Sequence, residues 1–156
     1  MALFPTGVTV ITARAADGTD HAITANSVTS VSLDPLLMLV CVEHASRLHP
    51  VVLASGRWGV SVLGLDGEPV SRKLAARGHD TTGVLAGVPH HRGRHTAAVL
   101  LDTALSTFEC RTVAAHPGGD HTVLLGEVLA VGLPRPEAPP LAWHRGRYTA
   151  LAEPAD

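Results

Sequence analysis

The sequence predicts a mainly β domain, an antiparallel barrel accompanied by two short helices. Short runs rich in Val, Ile and Thr recur between Gly, Pro and Asp turn signals along the whole chain. About seven or eight such runs fit within the 156 residues. Only two segments carry helical caps and helical periodicity. Many strands in one small domain favour closure, because a closed sheet exposes no long edges.

The elements follow in chain order. Thr6 to Ala13 alternates β-branched residues and ends at Asp17-Gly18, a strand and a turn. His21 to Val31 reads as a second strand closed by Asp34-Pro35. Leu36 to Val42 is continuously apolar, as in a strand covered on both faces. Short connections make these three an antiparallel meander. Ser46 is a candidate N-cap for a helix that begins between Ser46 and His49 and stops at Ser55-Gly56, with Pro50 admissible only in the first turn. Trp58 to Leu63 is a strand, and Glu68 to Arg77 is a helix with Val70 and Leu74 on one face and Gly78 as its stop. His79 to Thr96 is polar and glycine-rich, a long loop. Ala97 to Leu101, Ala104 to Val113 and His121 to Leu133 are strands, with Gly118-Gly119 turning between the last two. Pro134 to Pro140 is a connector, and Leu141 to Leu151 is a final short hairpin. No repeat or long linker divides the chain, so residues 1–156 form a single domain.

Composition narrows the function. Apolar residues make up 46 % and charged residues 17 %, which excludes disorder as the main state. A formal net charge of −2 argues against a nucleic-acid partner. The longest apolar run, Leu36 to Val42, falls far short of the roughly 18 residues of a membrane span, and MALFPTGV has no signal-peptide pattern. Cys41 and Cys110 sit in separate apolar runs with no nearby partner, so neither a disulfide nor a zinc knuckle is expected and the expected compartment is the cytoplasm. Histidines number ten. Three of them, His90, His91 and His95, share a loop with Arg92 and Arg94, whose charges repel a cation, so the expectation is a solvated loop and no metal. No nucleophile elbow, P-loop or dinucleotide-binding glycine motif stands in a suitable context.

Six blocks carry a family resemblance: FPTGVTVITA at 4–13, TANSVTSVSLDP at 24–35, LVCV at 39–42, FECR at 108–111, GDHTVLLGEVL at 119–129 and PLAWHRGRY at 140–148. In this order and spacing they resemble the flavin reductase-like family, over nearly the whole chain. The resemblance implies an FMN-binding split β-barrel, a Greek-key antiparallel barrel, assembled as a homodimer. It implies FMN or FAD as the flavin and NADH or NADPH as cosubstrate. It further implies a flavin reductase that supplies reduced flavin to a partner monooxygenase. The alternatives are a flavin-retaining split-barrel flavoprotein and a non-catalytic flavin-binding module.

Site residues follow from the matching blocks. Thr24, Ala25, Asn26 and Ser27 have small or amide side chains that let backbone approach a flat ring, and the resemblance extends this flavin-lining segment through Ser30, Val31 and Ser32. Cys41 and Val42 are expected to abut the ring. Ser46 and Arg47, at a helix N-terminus, suit a phosphate. Gly119-Asp120-His121 opens a strand at a turn, and the matching family histidine lies where the nicotinamide docks; His121 is therefore the candidate catalytic residue. Tyr148 is a candidate ring cover, near Arg145 and Arg147. Thr82 stands where the family commonly has an aromatic residue.

Overall fold

A computed structural model describes residues 2–76 and 83–151. Its strands are β1 (Thr6–Gly7), β2 (Thr9–Arg14), β3 (Asp20–Ala25), β4 (Val28–Leu33), β5 (Leu36–Glu43), β6 (Arg57–Val62), β7 (His90–Arg92), β8 (Val99–Leu101), β9 (Ser106–Gly118), β10 (His121–Gly132), β11 (Leu141–His144) and β12 (Arg147–Ala150). The helices are α1 (Leu48–Ser55) and α2 (Glu68–Ala75), the latter entered through a single 3-10 turn at Leu65–Gly67. Mainly β with two short helices, the architecture agrees with the sequence reading. The expected helix stop, Gly78, and Thr82 lie outside the described residues.

Seven strands form one antiparallel sheet in the order β3-β2-β6-β9-β10-β5-β4. This corrects the meander expectation. The segment from His21 to Val31 is two strands broken at Asn26 and Ser27, and these strands stand at opposite ends of the sheet. Since only Asn26 and Ser27 join β3 to β4, the sheet has to curl until its two ends approach. Ser27 stitches them: its carbonyl accepts from the Cys41 N–H at 3.3 Å and its hydroxyl donates to the Cys41 carbonyl at 3.0 Å.

The join is incomplete on one side. β4 pairs with β5 only from Val28 opposite Val40 onward. Cys41, Val42 and Glu43 therefore run past the start of β4, while among the described residues no strand lies along the outer edge of β3. A split lies between these two edges.

Two apolar clusters hold the curl. One, inside the sheet, gathers Ile11, Val40, Val42, Trp58, Val60 and Leu124 and is covered by Leu48 and Val52 of α1. The other packs Val8, Val10, Leu63, Leu101 and Leu141 against Leu74 of α2. β2 contributes to both clusters, so it, and not β5, is the strand buried on both faces. In β5 burial alternates: Met38, Val40 and Val42 point inward, whereas Leu37, Leu39 and Cys41 are half-buried. Trp58 is fully buried, and a Cβ on Gly126 would lie 2.4 Å from its ring, so the indole needs a glycine on β10.

The long loop expected over 79–96 contains the short strand β7, paired with β8. Its next residues wrap around the Glu109 carboxylate, which accepts from the N–H groups of Arg94, His95 and Thr96 and from the Thr96 hydroxyl at 2.8–3.0 Å. The final hairpin, β11 and β12, forms as expected and pairs with β1.

Candidate active site

A cleft of about 450 Å³ occupies the split. One wall is β3 from Ala22 to Ala25, continued by Asn26 and Ser27. The facing wall is Cys41, Glu43 and the segment from Ala45 to Leu48. The end of α2, Leu74 to Ala76, closes one side, and His121 reaches in from the start of β10. Strand ends and the turns beside them carry backbone donors and acceptors in fixed positions, a suitable lining for a planar ligand with a polar edge.

The predicted residues divide into those the fold brings to the cleft and those it does not. Thr24, Ala25, Asn26, Ser27, Cys41, Ser46, Arg47 and His121 all line it. Their side chains are not equivalent. The Thr24 hydroxyl donates to the Ser71 carbonyl at 2.7 Å and thereby anchors α2. The Ser27 hydroxyl is held by the Cys41 carbonyl. The Asn26 amide has no side-chain partner among the described residues and lies at the surface, with both donor and acceptor available.

Ser46 acts at the entrance to α1. Its hydroxyl accepts from the Leu48 N–H at 3.1 Å, and its carbonyl accepts from the His49 N–H at 3.1 Å. Pro50 follows and has no N–H. The first-turn donors of α1 are thus already engaged or absent, which leaves the exposed Arg47 as the cationic group on this wall.

Val42, Ser30, Val31, Ser32 and Tyr148 do not line the cleft. Val42 is fully buried, because alternation turns its side chain to the core when Cys41 faces the cleft. Ser30, Val31 and Ser32 lie on β4, beyond the stitched end. Ser30 borders a separate apolar groove of about 300 Å³ with Leu36, Phe108 and Val128, and Asn26 lies where this groove meets the cleft. Tyr148 packs edge-on against Trp143 at 4.7 Å, under the Arg72 guanidinium, and its hydroxyl lies 2.8 Å from that of Ser71. It touches α2, not the cleft.

Sequence reasoning missed a cluster beside His121. The Thr122 hydroxyl bridges His49 Nε2 at 2.9 Å and His44 Nε2 at 3.2 Å, tying the 44–49 segment to β10. Burial, then the neighbouring His44, holds the His49 imidazole below its usual range. The high histidine count was a signal, but it drew notice to 90–95, where the histidines lie in sequence, whereas this cluster exists only through strand pairing. Cys110 is buried with its thiol pushed up to about 12, and its sulfur lies 3.3 Å from that of Met38, so it is inert packing. Among the described residues no group of three or more potential ligands is placed to hold a metal, and no helix is long and apolar enough to cross a membrane.

The chain matches the model of the flavin reductase like domain over residues 1–152. It is 37 % identical to an NADH-dependent FMN reductase, AsuE2, of Streptomyces nodosus subsp. asukaensis, over 99 % of this chain and 83 % of that relative. Among solved structures it resembles BorF, the flavin reductase component of a bacterial two-component tryptophan halogenase, with a TM-score of 0.89, 38 % identity and coverage of 98 % and 94 % of the two chains. It also resembles the NADH:FAD oxidoreductase SgcE6 of Streptomyces globisporus C-1027, solved in complex with NAD and FAD fragments. There the TM-score is 0.90 at 35 % identity, covering 99 % of this chain and 90 % of that one.

Proposed function

This chain belongs to the flavin reductase like domain family, and from that premise we propose how its cleft carries out the family's chemistry. The protein is an NAD(P)H-dependent flavin reductase that acts on FMN or FAD. The reduced flavin serves a separate oxygenase or halogenase, as in the two-component system of BorF. NADH is the cosubstrate, in keeping with the relatives AsuE2 and SgcE6.

The observation that supports the assignment of the cleft is its position between the end of β3 and the end of β5, with the exposed Asn26 at the rim. An isoalloxazine has a flat face and one edge of alternating carbonyl and N–H groups. The backbone of residues 24–27 and the unengaged Asn26 amide match that edge, and a cleft of about 450 Å³ lies within the range of small-ligand sites. The donor set therefore fits a flavin. When bound, the flavin supplies the chemistry by accepting a hydride from the dihydronicotinamide, which requires no protein acid or base at carbon.

The chain's residues bind and orient. Ala25 and Cys41 present compact surfaces to the ring from opposite walls. Arg47 balances phosphate charge, with Ser46 holding the backbone of that turn in place. His121 meets the nicotinamide at the open side. Tyr148 contributes at one remove, by fixing α2 through Ser71. Ser30 lines the apolar groove, with Val31 and Ser32 following it on β4, and a second copy of the chain covers the groove in a homodimer.

The test is anaerobic NADH oxidation with FMN or FAD as acceptor, in the wild type and in Asn26→Ala. Flavin-dependent oxidation is expected, with the variant's flavin Kd raised about tenfold by the lost hydrogen bonds. A wild type that oxidises no NADH in the presence of either flavin would end this reading.

A further inference from the structure

His121 opens β10 at the rim of the cleft, and its predecessor in the turn, Asp120, holds it by the ring. Asp120 Oδ1 lies 2.6 Å from His121 Nδ1. The hydrogen bond from His121, and then its charge, hold the Asp120 carboxyl below the usual carboxylate range, so it is ionised near neutrality. An ionised carboxylate can only accept, so the proton in this contact belongs to the ring nitrogen. A neutral imidazole has one N–H. With that proton at Nδ1, Nε2 is left as an acceptor, and it has no partner among the described residues. Around it, Glu43 sits across the ladder on β5, the His44 N–H bonds the Asp120 carbonyl, Arg47 lies further along the facing wall, and β9 contributes uncharged Gly118.

We propose that Asp120 is a positioning residue that locks His121 in the Nδ1–H tautomer, so that Nε2 accepts a hydrogen bond from the carboxamide N–H of the nicotinamide cosubstrate. The inference rests on the flavin reductase reading above. A histidine without such a partner favours the Nε2–H form, which would make Nε2 a donor. The carboxamide offers an N–H donor, whereas the phosphates of the dinucleotide offer only acceptors at neutral pH. The Asp120–His121 contact therefore favours a donor group over a phosphate at this part of the cleft, and the carboxamide is the donor next to the reacting ring. Fixing the ring also removes a rotamer search at the moment of binding. The aspartate is well exposed, so the effect is modest and appears in binding more than in turnover.

Two measurements test this. Long-range nitrogen–proton NMR of the ligand-free protein, at a pH where its imidazole spectra no longer change, reads the tautomer directly. The wild type is expected to show Nδ1–H, Asp120→Ala to revert to Nε2–H, and Asp120→Asn, which keeps an acceptor oxygen, to retain Nδ1–H. In steady state, Asp120→Ala raises the KM for NADH about 2- to 5-fold, the range of an exposed charged contact, with kcat and flavin Kd nearly unchanged. Reduced 3-acetylpyridine adenine dinucleotide lacks the carboxamide N–H, so its KM does not respond. An Nε2–H tautomer in the wild type, or equal penalties for both dinucleotides, overturns the proposal. Absence of NADH oxidation in the wild type would instead count against the reductase reading, and the tautomer result would stand apart from it.

Discussion

Glu109 shows how one side chain organises a loop that its sequence makes look solvated. Burial alone would raise its carboxyl. The Thr96 hydroxyl and the N–H groups of His95, Thr96 and Arg94 outweigh that and hold it below the usual range. Gly93 is part of the same arrangement, since a Cβ there would lie 2.3 Å from Glu109 Oε2. Glu109→Gln is expected to cost about 2–3 kcal/mol in urea denaturation, because a charged acceptor of several buried donors is replaced by a neutral one. The pH dependence follows in sign. The unfolded chain binds this proton more tightly than the folded one, so the stabilisation is complete above about 4.3, the unperturbed value, and is lost as pH falls through the lower folded value. His49 gives an earlier loss, beginning as pH falls below about 6.5, because the fold favours its neutral form. Denaturation midpoints measured from neutral pH to about pH 3.5 are expected to fall in these two stages, with the lower one reduced in Glu109→Gln.

At the scale of elements, the cleft depends on a clamp that lies outside it. Ser71 of α2 meets Tyr148 through its hydroxyl and Thr24 through its carbonyl, so β3, α2 and the terminal hairpin are joined at one residue. The Leu74–Ala76 wall hangs from this junction. Thr24→Val and Tyr148→Phe are each expected to lower stability by about 1 kcal/mol and to weaken flavin binding a few-fold, with the double variant showing a coupled effect. Additive and flavin-neutral behaviour would contradict the clamp.

This junction also marks what could be read from sequence. The alternating run 6–13, the strand 58–63, the hairpin 141–151, the turn glycines and the two helices are legible because they are local patterns. Most of the cleft residues were legible through the blocks at 24–27, 41–47 and 119–121. The break at Asn26-Ser27 was not, because both flanking strands are equally β-branched and only their separation across the curled sheet reveals it. Tyr148 was misplaced for a related reason: a lone tyrosine near the C-terminus says nothing about whether it faces a cleft or a helix. Val42 and Cys41 alternate across one strand, so an assignment covering both could place only one side chain in the cleft.

For the molecule as a whole, assembly turns on the apolar groove beside the cleft. Leu36 lines it and is exposed, Val31 and Leu33 on the neighbouring β4 are exposed too, Leu33 by 87 %, and Asn26 lines both groove and cleft. Large exposed apolar patches are a feature of interfaces. A second copy related by a two-fold axis would cover the groove and deepen the flavin site at the same time. Light scattering is expected to give a dimer, and Leu33→Glu combined with Leu36→Glu a monomer with weakened flavin affinity. A monomeric wild type that binds flavin at full strength would contradict this assembly.

On the function proposed above, the split left where the curled sheet's ends almost meet is where the flavin binds. Amide nitrogen–proton NMR spectra collected during a titration with FMN test this most directly. Saturable shifts are expected at residues 22–27, 41–47 and 121, with β7, β8 and the far end of β10 unmoved. Shifts confined to the 90–96 loop or to the terminal hairpin, with residues 22–27 silent at saturation, would contradict it.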